Sequence, residues 1–196
     1  MYKINEIFYS LQGEGRHTGR AAVFVRFSGC NLSCPFCDTD FTASTPMTAE
    51  EIIAAISQWQ QCRFVVLTGG EPSLQVDDAL VEALHGAGYY IAVETNGTRP
   101  LPVGIDWVTL SPKNMFANHV PPIALKKIDE IKVVFDGTHL PDTYSNMADG
   151  AYLCLQPCDT GNAEQNREIT AKCVDYILSH PQWHLSLQTH KIIQIP

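Results

Sequence analysis

Short apolar runs, each ending in a polar or glycine-bearing stretch, recur along this 196-residue chain and limit its possible folds more than any other feature. They lie at 21–28, 63–67, 89–93, 107–110, 131–135, 151–155 and 183–187. Continuous apolar character, instead of alternation, marks strands covered on both faces, as in parallel sheet. Helical patterns separate several of them. Thr48-Ala49-Glu50-Glu51 is a capping box, and Ile52, Ile56 and Trp59 follow on one helical face. Val76, Leu80, Ala83 and Leu84 make a second apolar face, stopped by Gly86 and Gly88, and Ile169, Cys173, Tyr176 and Ile177 a third. This order predicts an α/β fold with a mostly parallel sheet under helices. The connections 97–106 and 136–150 are too short for full helices, so the expected architecture is an incomplete, partial TIM-like barrel. No repeat or linker divides 1–196, which reads as one domain.

Polar residues gather just past the runs: Thr68-Gly69-Gly70-Glu71-Pro72, Glu94-Thr95-Asn96-Gly97, Ser111-Pro112-Lys113, Asp136-Gly137, Gln156-Pro157 and Gln188-Thr189-His190. In α/β sheets and barrels the carboxyl ends of the strands are the edge where ligands bind. A strand-like stretch at 2–9 leads into Ser10-Leu11-Gln12-Gly13-Glu14-Gly15-Arg16. There, two glycines let the backbone approach something closely and aim Glu14 at it. On spacing alone that stretch reads as a solvated turn beyond the first strand. The formal net charge of −8 argues against a nucleic-acid backbone as partner. The amino terminus is no signal peptide and no apolar run has membrane-spanning length, so a cytoplasmic protein is expected. Seven cysteines then read as a reduced set, with metal binding preferred to disulfides.

Three of those cysteines form Cys30-x-x-x-Cys34-x-x-Cys37, with Phe36 before the last, directly after the 21–28 run. Structural zinc takes four protein ligands, and ordinary cubane clusters take four cysteines. Three thiolates leave one cluster iron open to another ligand. With a distant fourth ligand, the same three would hold zinc.

The cysteine spacing and Gly69-Gly70-Glu71-Pro72 resemble the radical S-adenosylmethionine enzymes. A narrower resemblance, to the 7-carboxy-7-deazaguanine synthase family, spans nearly the whole chain. It is carried by residues 10–15, Arg26, 29–32, 37–39, 111–113, 155–157 and 187–191. The resemblance implies a [4Fe-4S] cluster on Cys30, Cys34 and Cys37, and S-adenosylmethionine beside Phe36, Gly69, Gly70, Glu71, Glu94, Asn96, Ser111, Lys113 and Gln156. It also implies Mg2+ at Thr39, and ring contraction of 6-carboxy-5,6,7,8-tetrahydropterin to 7-carboxy-7-deazaguanine with loss of ammonia. Gln12, Gly13, Glu14, Arg26, Thr68, His190 and Pro196 would hold the pterin. Glu14 suits its donor-rich pyrimidine edge and the Arg26 guanidinium its carboxylate. An electron donor such as flavodoxin or ferredoxin, and a homodimer, are expected with it. Cys154 and Cys158 are too few for a second cluster, and Cys62 and Cys173 read as packing residues. Two other readings stay open: a glycyl-radical enzyme activase, and a non-catalytic zinc or electron-transfer module.

Overall fold

The computed structural model of the protein describes residues 1–35, 37, 39–40, 42–114, 116 and 119–196. Among the described residues, nine strands form one sheet in the order β3-β1-β2-β4-β5-β6-β7-β8-β9. They are β1 (Tyr2–Leu11), β2 (Ala21–Phe27), β3 (Thr45–Met47), β4 (Phe64–Gly69), β5 (Tyr90–Thr95), β6 (Trp107–Leu110), β7 (Glu130–Phe135), β8 (Tyr152–Pro157) and β9 (Trp183–Leu185). From β2 through β4 to β9 every pairing is parallel. β1 is antiparallel to both its neighbours. The sheet curls into a partial TIM-like barrel that does not close, as the alternation of runs and helices predicts.

The helices form where the sequence places its caps. The hydroxyl of Thr48 accepts from the Glu51 amide at 3.2 Å, and the Glu51 carboxylate accepts from the Thr48 amide at 2.7 Å, starting α1 (Ala49–Ile56). Asp77 caps α2 (Asp78–Gly86), and Gly88 (φ +80°) turns the chain out of it. These two helices cover the β1–β5 half, with Ile52, Ile56, Leu80 and Leu84 fully buried against Val65, Leu67, Ile91 and Val93. α3 (Ala163–Ser179) covers the other half, packing Ile169, Cys173 and Tyr176 on Ile131, Val133, Phe135 and Leu155. The connection 97–106 carries no helix, and 136–150 only a 3-10 turn at Pro141–Tyr144. Outward-facing β7 residues therefore meet α3, while Lys132 and Val134, one step out of phase, face the barrel interior.

The turn after β1 departs from the expectation. Because β1 is antiparallel, its carboxyl end lies at the edge opposite the carboxyl ends of the other strands. The turn is also not solvated, since Gln12 and Gly13 are buried and Glu14 and Gly15 half-buried. Backbone bonds Gln12 N to Arg20 O and Gly19 N to Gln12 O, both 2.8 Å, close the neck of the hairpin. The residues between fold inward across the barrel. The Gly15 amide donates to Ser186 Oγ at 2.9 Å and the Arg16 amide to the buried Glu130 carboxylate at 3.2 Å. The His17 ring meets Phe64 and Trp107 edge-on, centroids 5.1 and 4.9 Å apart. Gly15 is required here: its φ is +66°, and a Cβ would lie 2.1 Å from Glu130 Oε1. Across from the hairpin, residues 186–196 with α4 (Thr189–Ile193) strap the open side. Thr189 donates to Gly13 O through its amide (3.0 Å) and its hydroxyl (2.9 Å), and Ser10 Oγ donates to Pro196 O at 2.7 Å.

Candidate active site

A cavity of about 930 Å³ opens at the carboxyl ends of the parallel strands and runs down into the barrel. Its size suits one or two small molecules. Its upper wall is the cysteine loop, which is tied to the ends of β4 and β5. The Gly70 amide donates to Phe27 O at 3.0 Å and the Glu71 amide to Gly29 O at 2.9 Å. The backbones meet so closely that a Cβ on Gly70 would lie 2.1 Å from Gly29 O, and one on Gly69 2.2 Å from Phe27 O. The paired glycines thus serve this close approach. Asn31, inside the loop, donates to Thr98 Oγ1 at 2.8 Å and accepts from Asn96 Nδ2 at 3.0 Å. Glu71, 1% exposed, accepts from the Ser73 amide, the Thr95 hydroxyl and the Asn96 amide at 3.0, 2.6 and 2.8 Å.

Cys30, Cys34 and Cys37 all line this cavity, and all seven cysteines of the chain are free thiols. Burial pushes the Cys30 and Cys34 thiols up. The Cys34 thiol is pulled the other way by the Lys113 ammonium. Repulsion from Cys34 and Cys37 adds to the rise at Cys30, which places the three sulfurs within electrostatic reach of one another. Among the described residues no three His, Cys, Asp or Glu converge closely enough to share a single metal ion. A cubane spreads its ligands over different irons, so they stand farther apart than around one ion. Three thiols on one wall fit that donor set.

The floor of the cavity is a buried charge cluster. Lys132, on β7, places its ammonium 2.7 Å from Glu14 Oε2 and 2.8 Å from Glu94 Oε2. Gln188 Nε2 donates to Glu14 Oε1 at 2.9 Å, and Gln12 Nε2 to Glu94 Oε1 at 3.3 Å. Burial alone would raise the Glu14 carboxyl. The charge and hydrogen bond of Lys132, with Gln188 and His190, more than offset it and lower the group to about 2. Glu94 is held well above the usual carboxylate range by burial, against Lys132, with Glu130 and Glu14 as further repulsion.

Gln12, Gly13, Thr39, Thr68, Asn96, Ser111, Lys113, His190 and Pro196 line the same cavity. Lys113 Nζ donates to Ser111 Oγ at 2.5 Å, and Gly13 packs so tightly on the His190 ring that a Cβ would lie 2.1 Å from Nδ1. Arg26 lines it too, but its Nε donates to Glu6 at 2.7 Å, not to Glu14. Gln156 is not among the lining residues; it is buried and accepts from Ser186 Oγ at 2.8 Å, which supports the hydroxyl that holds Gly15. Phe36 lies outside the described residues. Sequence reasoning missed Lys132, Glu130, Gln188 and Asn31. Glu130 and Lys132 did leave a signal, two charges at alternate positions of an otherwise apolar strand, which places both on one face.

The radical SAM superfamily profile matches residues 24–149. A 7-carboxy-7-deazaguanine synthase from Bacteroides thetaiotaomicron is 53% identical over 195 residues, covering 100% of this chain and 99% of that protein. One of the same name from Bradyrhizobium diazoefficiens is 44% identical over 216 residues, covering 99% of both. Among solved structures, QueE from Escherichia coli superposes with a TM-score of 0.76 at 28% identity, over 95% of this chain and 93% of that one.

Proposed function

The chain belongs to the radical S-adenosylmethionine superfamily and, within it, to the 7-carboxy-7-deazaguanine synthases, and we infer from that premise that it converts 6-carboxy-5,6,7,8-tetrahydropterin to 7-carboxy-7-deazaguanine with loss of ammonia. When bound, the cluster and S-adenosylmethionine would supply one-electron, radical-generating chemistry. Cys30, Cys34 and Cys37 are the residues to hold the cluster. The Glu71 carboxylate accepts two internal donors on Oε1 and one on Oε2, so the remaining Oε2 lone pair and the backbone carbonyls of Gly69 and Gly70 are the acceptors for the methionine ammonium. Asn96, Ser111 and Lys113, on the same rim, suit the cofactor's hydroxyls and carboxylate.

The observation that carries the substrate assignment is an ionised carboxylate, Glu14, half-buried in the cavity that the three cysteines roof and paired with Lys132. An acceptor of that kind suits the pterin's row of N–H donors, and the strap brings Gln188 and His190 beside it. Arg26 keeps guanidinium donors beyond its bond to Glu6 for the substrate carboxylate. Thr39 lines the cavity beside Cys37, and its hydroxyl, with substrate carboxylate and waters, would complete a Mg2+ site. We further place the protein in the cytoplasm, as one domain in a homodimer reduced by flavodoxin or ferredoxin. No described helix is long and apolar enough to cross a membrane.

Anaerobic turnover of the reconstituted protein with the tetrahydropterin, read by mass spectrometry, tests the assignment. The expected result is 7-carboxy-7-deazaguanine together with ammonia. Cofactor cleavage without any change in the pterin would overturn it and favour the activase alternative.

A further inference from the structure

Building on the function above, we propose that Lys132 is a positioning residue for substrate: its ammonium keeps the Glu14 carboxylate charged and aimed, so that Glu14 presents only acceptors to the substrate's donor edge. Lys132 is 6% exposed on the inward face of β7 and lies within 2.8 Å of two carboxylates from two other elements. On Glu14 each oxygen has one internal donor, Lys132 on Oε2 and Gln188 on Oε1. These two bonds, one from β7 and one from the strap beyond β9, fix the plane of the carboxylate. A carboxylate oxygen has two lone pairs, so each keeps one for a ligand. Two parallel N–H donors can then be met by the two oxygens together.

The surroundings explain why the cation is needed. Glu94 and Glu130 stand on the same floor, Cys154 faces it from β8, and Lys113 and His190 approach from the rim and from the strap. Glu14 and Glu94 share the Lys132 ammonium, and Glu130 lies within its electrostatic reach. Without it, burial and the two neighbouring carboxylates would drive a proton onto Glu14. A protonated Glu14 would set an O–H against the substrate's N–H row, replacing an attraction with a clash of donors.

The test uses the reconstituted holoenzyme with Lys132→Met and Lys132→Arg. Wild-type KM for the tetrahydropterin should show no tenfold rise at the acid end between about pH 9 and 6, since Glu14 stays charged throughout. In Lys132→Met, KM should rise at least about tenfold at the acid end and recover as pH rises, while kcat at saturation holds. Lys132→Arg should restore the wild-type profile. Without any substrate, infrared spectra should show a protonated-carboxyl band that titrates in Lys132→Met and disappears when Glu14→Gln is added. If Lys132→Met does not fold, the same spectra of Lys132→Met/Glu94→Gln, which relieves one unpaired carboxylate, replace it. A pH-independent KM together with no Glu14 band in a folded variant would overturn the proposal. Failure of the wild type to use the tetrahydropterin would instead strike the assigned reaction, and the infrared titration would still decide the role of Lys132.

Discussion

Single side chains at this site divide into those whose spacing announces them and those that only tertiary placement reveals. Cys30, Cys34 and Cys37 belong to the first kind, because a cluster's ligands come from one short loop. Cys34→Ala should abolish cluster binding and cofactor cleavage, seen as loss of iron, sulfide and the charge-transfer absorption. Cys154→Ala should keep both, since that thiol faces the barrel floor from β8. Thr39→Ala should leave the cluster spectrum unchanged and slow turnover, with a blunted response in a Mg2+ titration. An unaltered response would remove Thr39 from the metal site. Lys132 and Gln188 belong to the second kind. Gln188 acts on Glu14 across 174 positions of sequence, and a lone glutamine in a polar stretch carries no sign of that.

At the scale of elements, the sheet, the capped helices and the ligand-binding edge were legible, because period, caps and glycine stops are local properties. The inward fold of the β1–β2 hairpin was not. Its turn has an ordinary glycine-rich sequence, and only the burial of Glu130 and His17's aromatic neighbours draws it into the barrel. Gly15→Ala should therefore cost about 1–2 kcal/mol for the left-handed backbone alone. Displacement of Glu130 adds to this, and the total is measurable as a lower denaturant midpoint. The junction of β4, β5 and the cysteine loop should be similarly exacting. Glu71→Gln turns an amide N–H₂ toward a group that already donates, and should destabilise by about 1–3 kcal/mol. Cluster incorporation should fall with it, since the same junction holds Gly29 and Asn31.

For the whole molecule, the buried charge cluster sets opposing trends with pH. Glu14 falls from 4.5 to about 2 on folding, so the stability it contributes is complete above 4.5 and is lost as pH drops through 2. Glu94 moves the other way: the folded chain keeps a proton that the unfolded chain releases above 4.5. Stability therefore falls as pH rises from there through the raised value of Glu94. Glu94→Gln should flatten that decline in urea unfolding measured across the neutral range, and an identical slope would place the titration elsewhere.

The strap formed by residues 186–196 also has a consequence for how the protein reaches its working form. Its partners lie at Ser10, Gly13 and Glu14, so this wall joins segments 174 to 186 positions apart in the sequence. Closing so long a loop is entropically slow, and contacts of high sequence separation tend to form late. A nascent or refolding chain can thus have its cysteine loop and central strands in place while the chamber is still open on one side. Oxygen and water would reach any cluster inserted at that stage. Cluster insertion should accordingly be safest once the strap has docked, and pulsed hydrogen exchange should show the amides of Thr189 and Gly15 gaining protection after those of β4 and β5.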